Sequence, residues 1–204
     1  MHRFISIALL SSVLAYLPAC SSAPKTDAQA SSTVATSQSS AGQQRTFENG
    51  ELVSAISTHL GVTSESAASA IERLFKEKGR PVGYITGEEG GGALTFGARY
   101  GKGTLWMKNG QTKKVYWQGP TVGFDVGAEA SKVFTLVYNL DDAELIYRRY
   151  PGVDGSAFLV AGMAVNYQRG NGIVLAPVRS GVGVRLGANI GYTSYTRSRS
   201  IIPL

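Results

Sequence analysis

Cysteine and histidine are scarce in this 204-residue chain, which has one cysteine and two histidines. A single cysteine cannot form a disulfide within its own chain. His2 lies in the N-terminal segment that we interpret below as a signal peptide, so only His59 remains in the mature chain. This composition argues against a Ser-His-Asp triad, a Cys-His pair and a histidine-ligated zinc site. We therefore expect no catalytic residue, no metal and no cofactor.

Long hydrophobic runs are missing as well. The apolar run of residues 4–16 follows the positive Arg3 and is too short for a bilayer-spanning helix, so residues 1–19 are typical of a secretory signal peptide. Leu17-Pro18-Ala19-Cys20 resembles a bacterial lipoprotein box, in which Cys20 is acylated and becomes the mature N-terminus. The alternative is an ordinary signal peptide with a cysteine in its cleavage region, but Cys20 is the sole cysteine and has no disulfide partner in the chain.

The lipoprotein interpretation also predicts a location and a partner. Palmitate and other acyl chains on Cys20 would attach the chain to a membrane of the cell envelope on its periplasmic side, and Ser21 in place of aspartate favours the outer membrane. Export excludes nucleic acid as a partner.

Large apolar residues are nearly absent from residues 20–45, which are rich in serine, alanine, threonine and glutamine. Such a segment cannot bury enough apolar surface to offset its ordering entropy, so we predict a flexible tether. A coil of roughly 25 residues reaches about 25–30 Å, enough to hold a domain clear of the lipid headgroups.

Residues 46–80 have the apolar spacing of two helices. Gly61 separates the two patterns, and Thr63 or Ser64 can cap the second helix at its N-terminus. The apolar positions are Leu52, Val53, Ile56 and Leu60 in the first helix and Ala67, Ala70, Ile71, Leu74 and Phe75 in the second.

Residues 81–204 favour strands, and we predict a mainly β fold with a small soluble antiparallel β-barrel behind the helical segment. Gly119-Pro120 is interpreted as a turn, and residues 141–150 as one or two helical turns. An outer-membrane barrel is the alternative, but most of the runs are too short to cross a bilayer. The predicted strands are 82–88, 94–100, 103–108, 113–117, 121–126, 132–138, 157–168, 173–178 and 182–196.

Alternating polarity assigns side chains to the two faces of these strands. Phe124 is expected to point inward and Asp125 outward, and Arg179 and Arg185 share one face of a glycine-rich run. Asp125 and Arg185 are each costly to bury alone, so we predict that they share a polar site.

Carboxylates offer little sign of acid–base chemistry. Glu88 and Glu89 are interpreted as part of a solvated glycine-rich turn, and Asp141, Asp142 and Glu144 as caps of the predicted helical turn. A catalytic pair of carboxylates remains an alternative, although nothing in the sequence places two carboxylates opposite each other.

Two glycine motifs do not match nucleotide-binding loops. Gly101-Lys102-Gly103-Thr104 lacks the earlier glycine and the hydroxyl residue directly after lysine that a phosphate-binding loop needs. The run 181–186 has Leu186 where the dinucleotide fingerprint needs glycine. Both motifs are interpreted as barrel glycines.

Three successive blocks of the sequence resemble one known family. WQGPTVGFDVG, KVFTLVYNLDDAELIYRRYPGVDGSAFLVAGMAVNY and LAPVRSGVGVRLGANIGYTSYT are similar to the EipA-like family, cell-envelope proteins of alphaproteobacteria. A weaker similarity links the glycine-rich strand and the apolar strand after it to the lipid-binding SYLF domain. The EipA resemblance implies a small soluble β-barrel with a helical preface and a role in envelope integrity.

The net charge is +6, and the basic residues are dispersed along the chain. They can be a solubilising surface, or they can attract an anionic lipid or a cell-wall polymer if several face one way. The residues considered for such a surface are Lys113, Lys114, Arg148, Arg149, Arg179 and Arg185.

These observations lead to one hypothesis with two alternatives. The chain is expected to support the envelope by non-catalytic binding or as a structural element; the alternatives are a lipid-binding barrel for an anionic lipid or apolar ligand, and a cell-wall-modifying enzyme. No protein partner can be named. The candidate binding residues are Trp117, Phe124, Asp125, Arg179 and Arg185.

Overall fold

The structure is a computed structural model that describes residues 45–93, 96–122, 131–153, 156–180 and 191–199. Cys20, Phe124, Asp125 and Arg185 lie outside these described residues. The predicted shared site of Asp125 and Arg185 and the acylation of Cys20 therefore stay predictions.

Two helices precede the sheet, as their apolar spacing predicts. Helix α1 is Asn49–Leu60 and helix α2 is Ser64–Lys78. Helix α1 ends because Gly61 adopts the left-handed conformation, with φ of 70°. Helix α2 begins at a cap, since the Thr63 side chain accepts a hydrogen bond from the Ser66 backbone N–H. In the part of the chain that is described, no helix is long and apolar enough to cross a membrane.

We expect Thr63→Ala to lower the free energy of unfolding by about 1 kcal/mol, because the first turn of α2 would lose its side-chain acceptor. Urea denaturation measures the change. Ser64→Ala is the control, because Ser64 is exposed and already helical. Equal losses in the two variants would contradict the cap assignment.

The described residues that follow form mainly a ten-stranded antiparallel sheet. Its order is β5-β10-β3-β2-β1-β4-β9-β7-β6, and β8 also pairs with β9. A bridge between Gly152 and Gln168 brings the β5 end of the sheet to β8, so the sheet curls into a barrel-like shape. This confirms the predicted mainly β fold. The strands are β1 (Gly83–Ala93), β2 (Phe96–Met107), β3 (Thr112–Val122), β4 (Ser131–Tyr138), β5 (Arg149–Pro151), β6 (Phe158–Val160), β7 (Met163–Val165), β8 (Gln168–Gly170), β9 (Ile173–Ser180) and β10 (Tyr192–Thr196).

The prediction of a turn at Gly119-Pro120 is wrong, because both residues lie within β3. They pair with Arg99 and Ala98 of β2. Strand β10 pairs with the other side of β3 only from Tyr116 to Gln118, so the missing N–H of Pro120 lies beyond that ladder. The pairing of β2 with β3 is continuous from Phe96 to Trp106. Each of the two is therefore one long strand where two short ones were predicted.

The predicted helical turn at 141–150 is confirmed, whereas the long strand predicted at 157–168 is not continuous. The predicted helical turn is a 3-10 helix, Ala143–Ile146, and its Asp142 cap is confirmed because the carboxylate accepts from the Glu144 backbone N–H at 2.9 Å. The strand predicted at 157–168 is instead three short strands. Ala161 and Gly162 interrupt it with φ of 48° and 78°.

Both faces of the central strands β4 and β9 are buried. One face packs against α1 and α2 and forms the helix-side core, which includes Leu52, Ile56, Ile71, Phe134, Leu136 and Val178. The other face lines the barrel and forms the interior core, which includes Ile85, Leu105, Val115, Trp117, Val137, Leu175 and Tyr195. These interior positions are occupied by packed side chains.

His59, in the last turn of α1, contacts the backbone of the sheet. Its Nε2 is 3.1 Å from the Gly87 backbone nitrogen and 3.1 Å from the Val133 carbonyl oxygen. The last turn of α1 crosses the backbones of β1 and β4, so His59 ties the helical layer to the barrel.

Candidate functional site

A buried carboxylate lies on the inner face of β1. Ile85, Gly87 and Glu89 alternate along that face, and Glu89 is only 6% exposed. The interpretation of Glu88 and Glu89 as a solvated turn is therefore wrong for Glu89, although Glu88 is exposed. Strand β1 continues to Ala93 through its glycines because it stays paired with β2.

Arg179 of β9 is the main partner of this carboxylate. Its Nε donates to Glu89 Oε1 at 2.5 Å and its Nη2 donates to Glu89 Oε2 at 3.2 Å. The third guanidinium nitrogen, Nη1, donates to the Asn166 side-chain oxygen at 3.0 Å. Arg99 of β2 is a second cation, with its Nε 3.8 Å from Glu89 Oε2. We call Glu89, Arg99, Trp117, Asn166 and Arg179 the interior polar cluster.

Trp117 completes the interior polar cluster from β3. Its indole N–H donates to Glu89 Oε2 at 3.1 Å, and its ring lies 5.8 Å from that of Tyr195. The indole lies directly over the inner face of β2 at Gly101, where an added Cβ would collide with the ring. Glycine on this face thus leaves room for the largest side chain of the interior.

The charges of the interior polar cluster stabilise one another. Burial by itself would raise the pKa of Glu89, but the charges of Arg179 and Arg99 and the hydrogen bonds from Arg179 and Trp117 lower it to about 2. For the cationic Arg179, burial by itself would lower the pKa, but the adjacent Glu89 carboxylate raises it above its usual value. Both groups are therefore ionised throughout the physiological pH range, and the cluster acts as a fixed salt bridge.

The structure brings two of the five candidate binding residues together. Trp117 and Arg179 both bind Glu89, whereas Phe124, Asp125 and Arg185 lie outside the described residues. Glu89 itself was missed by sequence reasoning. The alternation of side chains along a strand could have found it. Extending the predicted strand 82–88 by one residue places Glu89 on the same face as Ile85 and Gly87.

Three described aromatic residues of the strands, Trp106, Tyr116 and Tyr138, lie in different places. Tyr138 belongs to the helix-side core, whereas Trp106 is 40% exposed on the outer face of β2 and Tyr116 is half-buried on the outer face of β3.

Arg185 lies outside the described residues, and the described members of the six basic residues considered for one surface are dispersed. Arg179 points into the barrel, and Lys113 pairs with Glu144, which also binds Arg197 at 2.8 Å. Arg149 lies over the ring of Tyr192. Within the described ranges, no group of three His, Cys, Asp or Glu residues could hold a metal ion.

The fold and this site define a class: a β-barrel-like protein with a two-helix layer on one face and a buried salt bridge in a packed interior. The chain belongs to the envelope integrity protein A (EipA) family, whose model matches residues 45–204. The family resemblance is thereby confirmed, and the family name points to a role in envelope integrity.

A solved structure supports the fold. The crystal structure of a β-barrel-like, uncharacterized protein from Brucella abortus is 46% identical, with a TM-score of 0.71. The match covers 78% of this chain and 99% of that chain. No curated protein matches the chain significantly.

Proposed function

We propose that this chain is a lipid-anchored envelope protein that acts by non-catalytic binding or as a structural element on the periplasmic side of the outer membrane. The observation that carries the proposal is the state of the buried carboxylate. Both oxygens of Glu89 are held by Arg179, and one also by Trp117. A carboxylate whose pKa is lowered to about 2 stays ionised near neutral pH and is poorly suited to acid–base catalysis. Its contacts with β9 and β3 instead hold three strands of the barrel together, which supports a rigid barrel.

A rigid barrel leaves its outer surface as the part that meets other molecules. In the described strands, packed side chains of the interior core and the interior polar cluster occupy the inward positions. The family name, envelope integrity protein A, supports an envelope location. The sequence Leu17-Pro18-Ala19-Cys20 supports anchoring through acylated Cys20, with residues 20–45 as the tether.

We expect Cys20→Ser to release the protein from the membrane fraction of the cell that makes it. Three acyl chains at about 0.8 kcal/mol per buried CH₂ would hold the wild-type chain almost irreversibly, whereas the variant has no lipid. Fractionation followed by immunoblotting measures the distribution, and Ser22→Ala is the matched control that leaves Cys20 intact. A Cys20→Ser protein that stays in the membrane fraction would show that another part of the chain attaches it.

A further inference from the structure

The outer face of β1, β2 and β3 carries aromatic and basic side chains that are accessible to solvent. Trp106 is 40% exposed, Lys102 and Lys114 are exposed, and Thr86 and Tyr116 are half-buried. Outward positions alternate with the inward positions of the interior core, so these five residues share one face. We call them the aromatic–lysine face.

Trp106 has a fixed orientation on this face. Its indole N–H donates to the Thr86 hydroxyl at 3.0 Å, and Thr86 lies opposite Thr104, two residues before Trp106 on β2. The indole ring therefore extends diagonally from β2 to β1, and one flat side of the ring faces solvent. A side chain that is ordered before binding loses little entropy when a ligand packs on it.

The sheet register sets the spacing of the other groups. Lys102 lies opposite Tyr116, and Thr104 lies opposite Lys114. At about 3.3 Å per residue and about 4.8 Å per strand, Trp106 and Tyr116 are about 14 Å apart, with Lys114 between them and Lys102 beside Tyr116. Two rings with Thr104 and Lys114 between them and Lys102 at one end form an extended surface, with no deep pocket needed.

The charge of the face is positive. Glu88 of β1 lies opposite Lys102 on one side and opposite Lys132 of β4 on the other. Among these residues and Lys114, three lysines accompany one carboxylate. Such a surface favours an anionic partner.

We propose that the aromatic–lysine face binds an acidic glycan strand of the cell wall, an inference that rests on the envelope function proposed above. The C–H face of a sugar ring packs on an aromatic ring, sugar hydroxyls bond to threonines, and carboxylates along the polymer pair with lysines. A lipid bilayer is a poorer fit, because the described outward residues between Trp106 and Tyr116 are threonine and lysine and offer no aliphatic patch to insert.

The test is sedimentation of the chain carrying Cys20→Ser with insoluble, protein-free peptidoglycan sacculi, with chitin as the neutral glycan. Binding to sacculi should exceed binding to chitin and should weaken as salt screens the lysines. Trp106→Ala should weaken binding about tenfold, and Lys102→Gln with Lys114→Gln by a similar factor. Trp106→Phe keeps a ring and should retain most of the affinity.

Matched controls lie on other surfaces. Leu159→Ala removes a side chain that is 52% exposed on β6, and Lys76→Gln with Arg169→Gln removes two exposed charges from α2 and β8. Both should leave binding unchanged, and thermal unfolding should show every variant folded. The proposal is overturned if sacculi bind none of the proteins, if the face variants bind as the wild type does, or if anionic vesicles are preferred to sacculi. None of these results touches the Cys20 fractionation, so the two proposals fail separately.

Discussion

Glu89→Gln is expected to lower the free energy of unfolding by about 3–5 kcal/mol, the cost of leaving a buried cation without its counter-ion. Arg179 would keep its charge in the interior, where Glu89 had supplied two hydrogen bonds and a full opposite charge. Urea denaturation of the chain carrying Cys20→Ser gives the value. Glu88→Gln is the matched control, because Glu88 is the exposed neighbour and its loss should change stability by less than about 0.5 kcal/mol. Equal losses in the two variants would contradict the salt-bridge assignment.

The same substitution should change the pH dependence of stability. The pKa of Glu89 is lowered from 4.5 to about 2 in the folded chain, so its contribution is fully present above pH 4.5 and is lost as the pH falls toward 2. The stability difference between wild type and Glu89→Gln should shrink by about 3 kcal/mol over that window and stay constant above it. A difference that is unchanged from pH 6 to pH 2 would show that Glu89 does not titrate as described.

A double substitution separates two quantities: the net stabilisation by the ion pair, and the loss of stability when one charge is left without its partner. Glu89→Leu together with Arg179→Met removes both charges, so it should cost less than the sum of the two single changes. Additive losses would mean that the two side chains do not stabilise each other.

Gly101→Ala is expected to destabilise the barrel by about 3 kcal/mol, at the upper end of the usual cost of overpacking. The added Cβ would collide with the indole of Trp117, and moving that ring would also break its hydrogen bond to Glu89. Thermal unfolding and the near-ultraviolet circular dichroism of Trp117 would both report the change.

Two further variants isolate the steric cause in Gly101→Ala. Gly50→Ala in α1 is the control, because a Cβ at Gly50 meets no atom within 4 Å and alanine favours the helix. In a Trp117→Val background the ring is absent, so Gly101→Ala should then cost less than about 1 kcal/mol. A full-sized loss in that background would contradict the collision.

Local features of the sequence were sufficient for the helical segment. Leu52, Ile56 and Leu60 recur at the helical period, Gly61 is suited to the left-handed cap and Thr63 is suited to the N-cap. Each of these signals acts within about one turn of helix, so neighbouring residues alone determine them. The abundance of short β-prone runs likewise predicted a mainly β fold, because strand preference and turn residues are local properties.

Strand pairing decided the features that local signals did not. Gly119-Pro120 has the composition of a turn, yet pairing with β2 carries β3 through it, because a long antiparallel ladder outweighs the local preference. Strands β1 and β2 similarly extend through glycine-rich segments that composition alone assigns to turns.

The interior polar cluster depended most on tertiary structure. Glu89 and Arg179 are 90 residues apart, on strands that flank β4 from opposite sides. The register of both ladders places them on the same inner face, Gly87 and Arg179 being opposite Val133 of β4. The sequence alone determined which residues could lie on one face of each strand, because side chains alternate with a period of two. Only the pairing of three strands determined which carboxylate met which guanidinium, because a shift of one residue in either ladder would turn one of the two charges to the opposite face.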